Sequence, residues 1–356
     1  MKILYITYID FNKNAKSGSS VRPKKMYEAF IDEGHEIILL QTQQNKRKER
    51  KKAVKTILKK LETETVDACY IESPSGPIFN QIDIKLIKVI KKRRIPLSLF
   101  YRDAHWLFAK SWLKTNIIKK SIIILMQKRD IKTFQRNIDQ FYMPSIKACE
   151  EIEKFYIFNN IKELPPGTEN NQIQDLKNTK TAIYVGASSY QYGTDLLIAS
   201  YNSLWEKGYR YKLIIVTREA EWRKMYPEGL GYEWLEVHHT SGMDLKQLYE
   251  QADCAILPMR KSYYSDLSYS IKLFEYLSYG KPIISNDFEM MGAFVRKYNC
   301  GMIYNDEENG LENAIATFYK SREIREKLYK NVIEACNKNL WRERVREIIK
   351  DFKELK

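Results

Sequence analysis

The chain has 356 residues, comfortable for two domains, and 44% of them are apolar, enough to fill real cores. Five scattered cysteines (Cys69, Cys149, Cys254, Cys300, Cys336) include no C-x-x-C pair, which argues against a disulfide framework or a zinc site and for a reducing, cytoplasmic compartment. The formal net charge of +15 sits wholly in the first half: residues 1–165 hold 33 lysines and arginines against 18 acids, while residues 166–356 hold 27 of each, so an anionic partner is expected there.

The elements follow in chain order. "KILYITY" (2–8) reads as a strand with no signal peptide before it. In the loop "KSGSS" (16–20), Gly18 allows a ligand to approach the backbone, Ser19 adds a hydroxyl, and Arg22 opens the helix whose face is Met26, Ala29 and Phe30. An ordinary strand-to-helix loop is the competing reading. His35 sits in the turn before the strand "EIILL" (36–40) and is read as structural. The basic run "KRKERKKAVKTILKK" (46–60) reads as a solvated loop or helix. "ACYIE" (68–72) is a third strand, Ile82, Leu86, Ile87 and Ile90 mark a helix, and "PLSLFY" (96–101) is a fourth strand. Arg102, Asp103 and His105 cluster just beyond its carboxyl end. A carboxylate there could take a proton from a hydroxyl, or Asp103 could simply cap a helix and pair with Arg102.

Segment 109–129 interleaves Trp112, Leu113, Ile117, Ile118 and the run Ile122 to Met126 with lysines. That pattern suits an interfacial helix on an anionic membrane, or a buried helix with a solvated basic edge. The run is the longest apolar one, far short of the ~20 residues that span a bilayer.

"KELPPGTENNQ" (162–172) punctuates the chain with Pro165, Pro166 and Gly167 and reads as a linker. Strand–helix alternation then restarts: strands at 181–186, 212–217, 254–257 and 281–285, with Leu197, Ile198, Tyr201 and Leu204 on a helix. His238 and His239 end another strand. Continuous apolar strands separated by helices predict parallel sheets covered on both faces. The expectation is two doubly wound α/β domains, residues 1–165 and 166–335, with a ligand cleft between them. Residues 336–356 would form a terminal amphipathic helix with Trp341, Val345, Ile348, Ile349, Phe352 and Leu355 on one face, returning to the first domain.

"SYSIKLFEYLSYGKPIIS" (268–285) is the most informative stretch. Ser270 reads as an N-cap, and Gly280 with Pro282 as the stop, so Lys272 falls in the first helical turn. A cation beside free N–H groups and the positive end of the dipole is unfavourable unless an anion faces it. Glu275, three residues on, shares the face, and its carboxylate could accept two hydrogen bonds from a diol. The bland alternative is an exposed Lys–Glu pair. The loop "GASSYQYGT" (186–194) offers backbone N–H groups at Gly186 to Ser189 for phosphate oxygens, or is an ordinary strand-to-helix loop.

Taken in order, "SGSSVRPKKMYEAFIDEGHEI", "LPPGTE", "YVGASSYQYGTDLLIASYNSL", "LKQLYEQADCAILPM", "IKLFEYLSYGKPIIS" and "LENAI" with the terminal helix resemble the GT-B-fold glycosyltransferases. The nearest likeness is to glycosyltransferase family 4 and related bacterial surface-polysaccharide transferases, over nearly the whole chain. The resemblance implies a GT-B architecture of two Rossmann-like domains facing a central cleft. It implies sugar transfer from a nucleotide diphosphate, UDP, to a hydroxyl of a lipid-linked or growing surface glycan. The donor set would be Gly186, Ser188, Ser189, Tyr192, Ser270, Ile271, Lys272 and Glu275. Asp103, His105 and Glu275 would be catalytic, and Gly18, Ser19, Arg22 and Arg102 would line the acceptor side.

Two departures mark a divergent branch. The family has a glutamate eight positions before the one matched by Glu275; here that position is Leu267, with Asp266 one step out of register. The family's cations in the first donor-side loop are absent from "GASSYQYG". No two aspartates lie two apart, so D-x-D is missing, and no cofactor or metal is expected. The partners implied are a nucleotide-sugar, a polyprenyl-diphosphate-linked or glycan acceptor and an anionic membrane surface at the inner face of the plasma membrane, with no nucleic acid. A non-catalytic scaffold subunit and a nucleic-acid-binding protein are the alternatives.

Overall fold

The computed structural model describes residues 1–11, 18–102, 104–108, 115–171 and 178–355, without the side chains of Ser19 and Tyr264. It divides into two units: residues 1–167 with 341–356, and residues 168–340.

The first unit alternates β1 (Lys2–Ile6), α1 (Gly18–Asp32), β2 (Glu36–Leu40), α2 (Arg47–Thr63), β3 (Ala68–Glu72), α3 (Gln81–Lys92), β4 (Leu97–Phe100), α4 (His105–Phe108), α5 (Ile117–Asn137), β5 (Gln140–Met143), α6 (Ile146–Glu153) and β6 (Ile161–Glu163). Its sheet is wholly parallel in the order β2-β1-β3-β4-β5-β6. Alternate strand residues feed two cores. Leu4, Ile6, Cys69, Ile71, Leu97 and Leu99 pack against α2, α3 and α5. Ile3, Tyr5, Ala68, Tyr70 and Phe100 pack on the other face. Both faces are covered, which is why these strands are uninterrupted apolar runs.

The second unit contains β7 (Thr181–Val185), a 3-10 turn at Tyr190–Tyr192, α7 (Thr194–Glu206), β8 (Lys212–Val216), α8 (Glu219–Met225), β9 (Leu235–His238), α9 (Met243–Gln251), β10 (Cys254–Leu257), α10 (Tyr263–Asp266), α11 (Ile271–Ser278), β11 (Ile283–Asn286), α12 (Glu289–Tyr298), β12 (Gly301–Tyr304), α13 (Gly310–Lys320) and α14 (Arg322–Lys338). Its sheet is again parallel, in the order β12-β11-β10-β7-β8-β9. One face buries α9, α11, α12 and α14. The other buries α7 and α13.

The last helix, α15 (Trp341–Glu354), belongs to the first unit, where Trp341, Val345, Ile348, Ile349 and Phe352 join Met26, Ala29 and Phe30 of α1 in one core. Tyr142 and Lys162 both bond the Asp351 carboxylate at 2.5 Å, and Arg346 grips Glu33 at 2.7 and 3.0 Å. The units therefore part at 167/168 and 340/341, against the expected 165/166 and 335/336. Gly167 is fixed by packing, since a Cβ there would lie 2.6 Å from the Trp341 ring. No helix among the described residues is long and apolar enough to cross a membrane.

Candidate donor and acceptor sites

The helix that opens with Lys272 forms as the local sequence requires. Ser270 adopts extended φ/ψ, its hydroxyl accepts from the Lys272 amide at 3.3 Å, and Gly280 supplies φ +67° after the last turn. Ile271 is the first helical residue. Leu273, Phe274, Tyr276 and Leu277 bury one face, leaving Lys272 and Glu275 half-buried on the other. Lys272 Nζ lies 2.7 Å from Glu275 Oε2. The second carboxylate oxygen, Oε1, accepts from the Tyr249 hydroxyl at 2.8 Å. Burial, with Glu275 beside it, pushes the Tyr249 phenol well above the usual tyrosine range, so it remains a donor. Tyr249 in turn stacks on Tyr279, centroids 4.1 Å apart and planes 11° from parallel.

Tyr276 ties this helix to the carboxyl end of β7: its hydroxyl accepts from the Val185 amide at 3.0 Å. The loop beginning at Gly186 leaves from that point. A Cβ on Gly186 would meet the Tyr184 hydroxyl at 2.6 Å, and that hydroxyl donates to the Ala187 carbonyl at 2.7 Å. Ser188 is buried with its oxygen 3.2 Å from that of Thr217, and the Thr217 carbonyl lies 2.9 Å from His239 Nδ1. Ser189 caps the 3-10 turn by accepting from Tyr192, whose ring is exposed. His238 closes β9 and lies 3.6 Å from Glu236. Gly186, Ser188, Ser189, Tyr192, Thr217 and His239 follow the carboxyl ends of β7, β8 and β9, the ligand-binding edge of a doubly wound sheet.

Sequence reasoning saw no cation in this loop. One arrives from elsewhere: Arg260, beyond β10, grips Asp195 with two bonds of 2.7 and 2.8 Å and donates to the Tyr190 carbonyl at 2.5 Å. Its guanidinium lies 3.7 Å from the Tyr190 ring centroid. Spacing alone could not have paired residues 65 apart.

In the first unit, Arg22 is buried rather than facing a ligand. Its Nε donates to Glu72 at 3.1 Å, its Nη1 donates to the Leu164 and Pro165 carbonyls at 3.1 and 3.2 Å, and its plane lies over Phe100. Glu72 ends β3 and also accepts from Tyr70 at 2.7 Å. Arg102 approaches the other Glu72 oxygen at 4.0 Å, and its amide donates to Ser73. Gly18 and Ser19, expected in a loop, occupy the first turn of α1. His105 opens α4, half-buried. Asp103 lies outside the described residues, as does the segment 109–114 with Trp112, Leu113 and Lys114.

Residues 168–335 match the model of the glycosyl transferases group 1 family. Sucrose-phosphate synthase of Thermosynechococcus elongatus has the same fold across 100% of this chain and 99% of its own, with TM-score 0.68 at 12% identity. HepE of Anabaena, solved in complex with UDP, gives 0.68 at 12% identity over 99% and 100%. WaaG, a glycosyltransferase involved in lipopolysaccharide biosynthesis, gives 0.64 at 14% identity over 98% and 99%. The second unit thus carries the group 1 glycosyl transferase domain, and the chain as a whole has the GT-B fold. No curated protein matches its sequence.

At the position of the absent first glutamate, Leu267 is buried and brings no carboxylate, while Asp266 accepts from the Glu289 amide at the start of α12 through Oδ1 at 3.2 Å. Among the described residues, no three of His, Cys, Asp and Glu gather as a metal-holding group.

Proposed function

We propose that the transferase moves a sugar from a UDP-sugar to a hydroxyl of a growing surface glycan carried on a polyprenyl diphosphate. One observation carries this reading: Lys272 and Glu275 sit side by side on the first turns of α11, inside the group 1 domain. The free N–H groups of α11 with Lys272 suit a diphosphate, and Glu275 suits the ribose diol. Ser270 and Ile271 present the helix end. Gly186, Ser188, Ser189 and Tyr192 line the loop that would meet phosphate oxygens. The UDP in the HepE structure supports uridine as the base.

In the transfer, the acceptor oxygen bonds the anomeric carbon as the bond from that carbon to the β-phosphate oxygen breaks. The acceptor proton passes to a base at the carboxyl end of β4, where Asp103 and His105 are the candidates, and UDP leaves with the bonding electrons. Lys272 and the helix end stabilise the charge growing on that diphosphate. On this reading the protein needs no metal of its own.

The acceptor and its membrane rest on the basic first unit and on WaaG, whose role is in lipopolysaccharide synthesis. The deciding experiment is a thermal-shift panel of UDP, GDP, ADP, CMP and their sugars, followed by calorimetry with Lys272→Ala and Glu275→Ala. UDP should stabilise the wild type, and each variant should lose about tenfold or more in UDP affinity, as expected for one charged hydrogen bond. Unchanged UDP binding by both variants would overturn the assignment.

A further inference from the structure

Glu275 is doubly engaged within the protein. Tyr249 holds Oε1 from within the protein, and Lys272 covers Oε2 from the side where a diphosphate would lie. The two partners differ in kind. Tyr249 is fully buried, stacked on Tyr279 and rooted in α9, so its hydroxyl has one place to be. Lys272 is half-exposed on a flexible four-carbon stem and can reorient.

We propose that Tyr249 is a positioning residue that fixes the Glu275 carboxylate for the ribose diol, while Lys272 masks Oε2 until a diphosphate draws it away. This rests on the donor assignment above and adds a coupling to it. A nucleoside without phosphates must compete with Lys272 for Glu275. A nucleoside diphosphate brings an anion for the ammonium and uncovers the oxygen its ribose needs. The site thereby discriminates against nucleosides beyond the simple loss of phosphate contacts, and Tyr249 keeps the carboxylate from following the lysine.

The test is calorimetric, with UDP, 2′,3′-dideoxy-UDP and uridine titrated into wild type, Tyr249→Phe and Lys272→Met. Wild type should prefer UDP to the dideoxy analogue, which has no diol to offer Glu275. Tyr249→Phe keeps the ring and its stack; it should lose roughly tenfold for UDP and little for the dideoxy analogue, because the lost hydrogen bond orients only the diol's acceptor. A variant that was merely loosened would lose both ligands together. Lys272→Met should lose UDP affinity but bind uridine at least as tightly as wild type.

A Tyr249→Phe variant with the full wild-type preference for UDP over the dideoxy analogue would overturn the positioning role. Parallel loss of UDP and uridine in Lys272→Met would overturn the masking role. If wild type itself failed to bind UDP, or bound both diphosphates equally, the donor assignment would fall first and the coupling with it. A melting temperature for each variant, measured without ligand, separates these outcomes from misfolding.

Discussion

Arg22 lies flat over Phe100, its guanidinium carbon 3.5 Å from the ring centroid, while its nitrogens hold Glu72 and the carbonyls of Leu164 and Pro165. A residue at the start of the chain thus anchors the segment leading to the second unit. Arg22 and Glu72 are both buried, 5% and 1% exposed, and each is satisfied mainly by the other's charge and by neighbouring carbonyls and the Tyr70 hydroxyl. Removing one charge strands the other. Arg22→Met should cost about 3–5 kcal/mol of stability, and adding Glu72→Gln should recover part of it. Denaturant midpoints of both variants check this; a single variant as stable as wild type would contradict it.

A second prediction turns on two glycines with similar backbone angles and different neighbours. Gly193 has φ +70°, and a Cβ there would sit 1.7 Å from the Pro258 carbonyl oxygen; Gly34 has φ +78° with nothing within 4 Å. Gly34→Ala pays backbone strain alone, about 1 kcal/mol. Gly193→Ala must also push the 186–193 loop off Pro258, so it should cost several kcal/mol or prevent folding of the second unit. Matched melting curves of the two variants decide it, and equal losses would show that the close approach is not real.

Much of this was legible in the sequence, and the reason is local. Strands buried on both faces carry continuous apolar runs, and the helix at 271–278 is bracketed by its own cap and stop, Ser270 and Gly280. What escaped depends on partners distant in sequence. Arg50 lies in the run expected to be solvated, yet it is fully buried, bonding Asp83, Thr7 and Thr42 beneath Tyr8. Arg22 reads like a ligand contact because its real partners, Glu72 and residues 164–165, lie 50 and more positions away. Tyr249 has no spacing signal linking it to Glu275, 26 residues on. The strand β6 is too short, at three residues, for periodicity to declare it.

The Asp195–Arg260 clasp predicts a pH dependence. Burial raises the Asp195 pKa, but Arg260 outweighs it and holds the carboxyl below its usual value. A folded pKa below the unfolded one of about 3.9 gives stability that is complete above that pH and lost as pH falls through the folded value. The stability gap between wild type and Asp195→Asn should therefore be present at pH 6 and shrink by pH 3. A gap independent of pH would remove Arg260 as the partner that matters. Loss of the clasp should also weaken UDP binding, since Arg260 pins Tyr190 within the donor loop.

Transfer activity should survive EDTA. On the proposed donor assignment, Lys272 and the α11 N-terminus supply the positive charge that a leaving diphosphate needs, and D-x-D is absent from the sequence. Inactivation by EDTA with rescue by Mg²⁺ or Mn²⁺ would defeat this expectation.

The last prediction concerns α5. Its C-terminal half is buried through Ile131 and Phe134; in its N-terminal half Ile124 packs on the same core, but Ile117, Ile118, Ile122 and Leu125 are exposed at 83%, 76%, 52% and 65%. Ile118, Ile122 and Leu125 follow the i, i+4, i+7 spacing of one helical stripe. Lys119, Lys120 and Lys128 flank it, and no acid occurs between residues 117 and 129. Four exposed aliphatic side chains bordered by lysines match an anionic lipid surface: each lysine near it contributes about 1 kcal/mol, screened by salt, and each inserted side chain adds a part that salt does not screen. The protein should float with vesicles rich in phosphatidylglycerol or cardiolipin and poorly with phosphatidylcholine, and high salt should weaken but not abolish binding. Changing Lys119, Lys120 and Lys128 to glutamate should reduce flotation. Changing Ile118, Ile122 and Leu125 to serine should leave a weaker attachment that salt removes completely. UDP binding should survive both sets, because the proposed donor residues lie in the second unit, which α5 does not enter. Equal flotation on neutral and anionic vesicles, or none on either, would defeat the membrane reading and return the basic charge of the first unit to a nucleic-acid partner, which a salt-dependent mobility shift would then reveal.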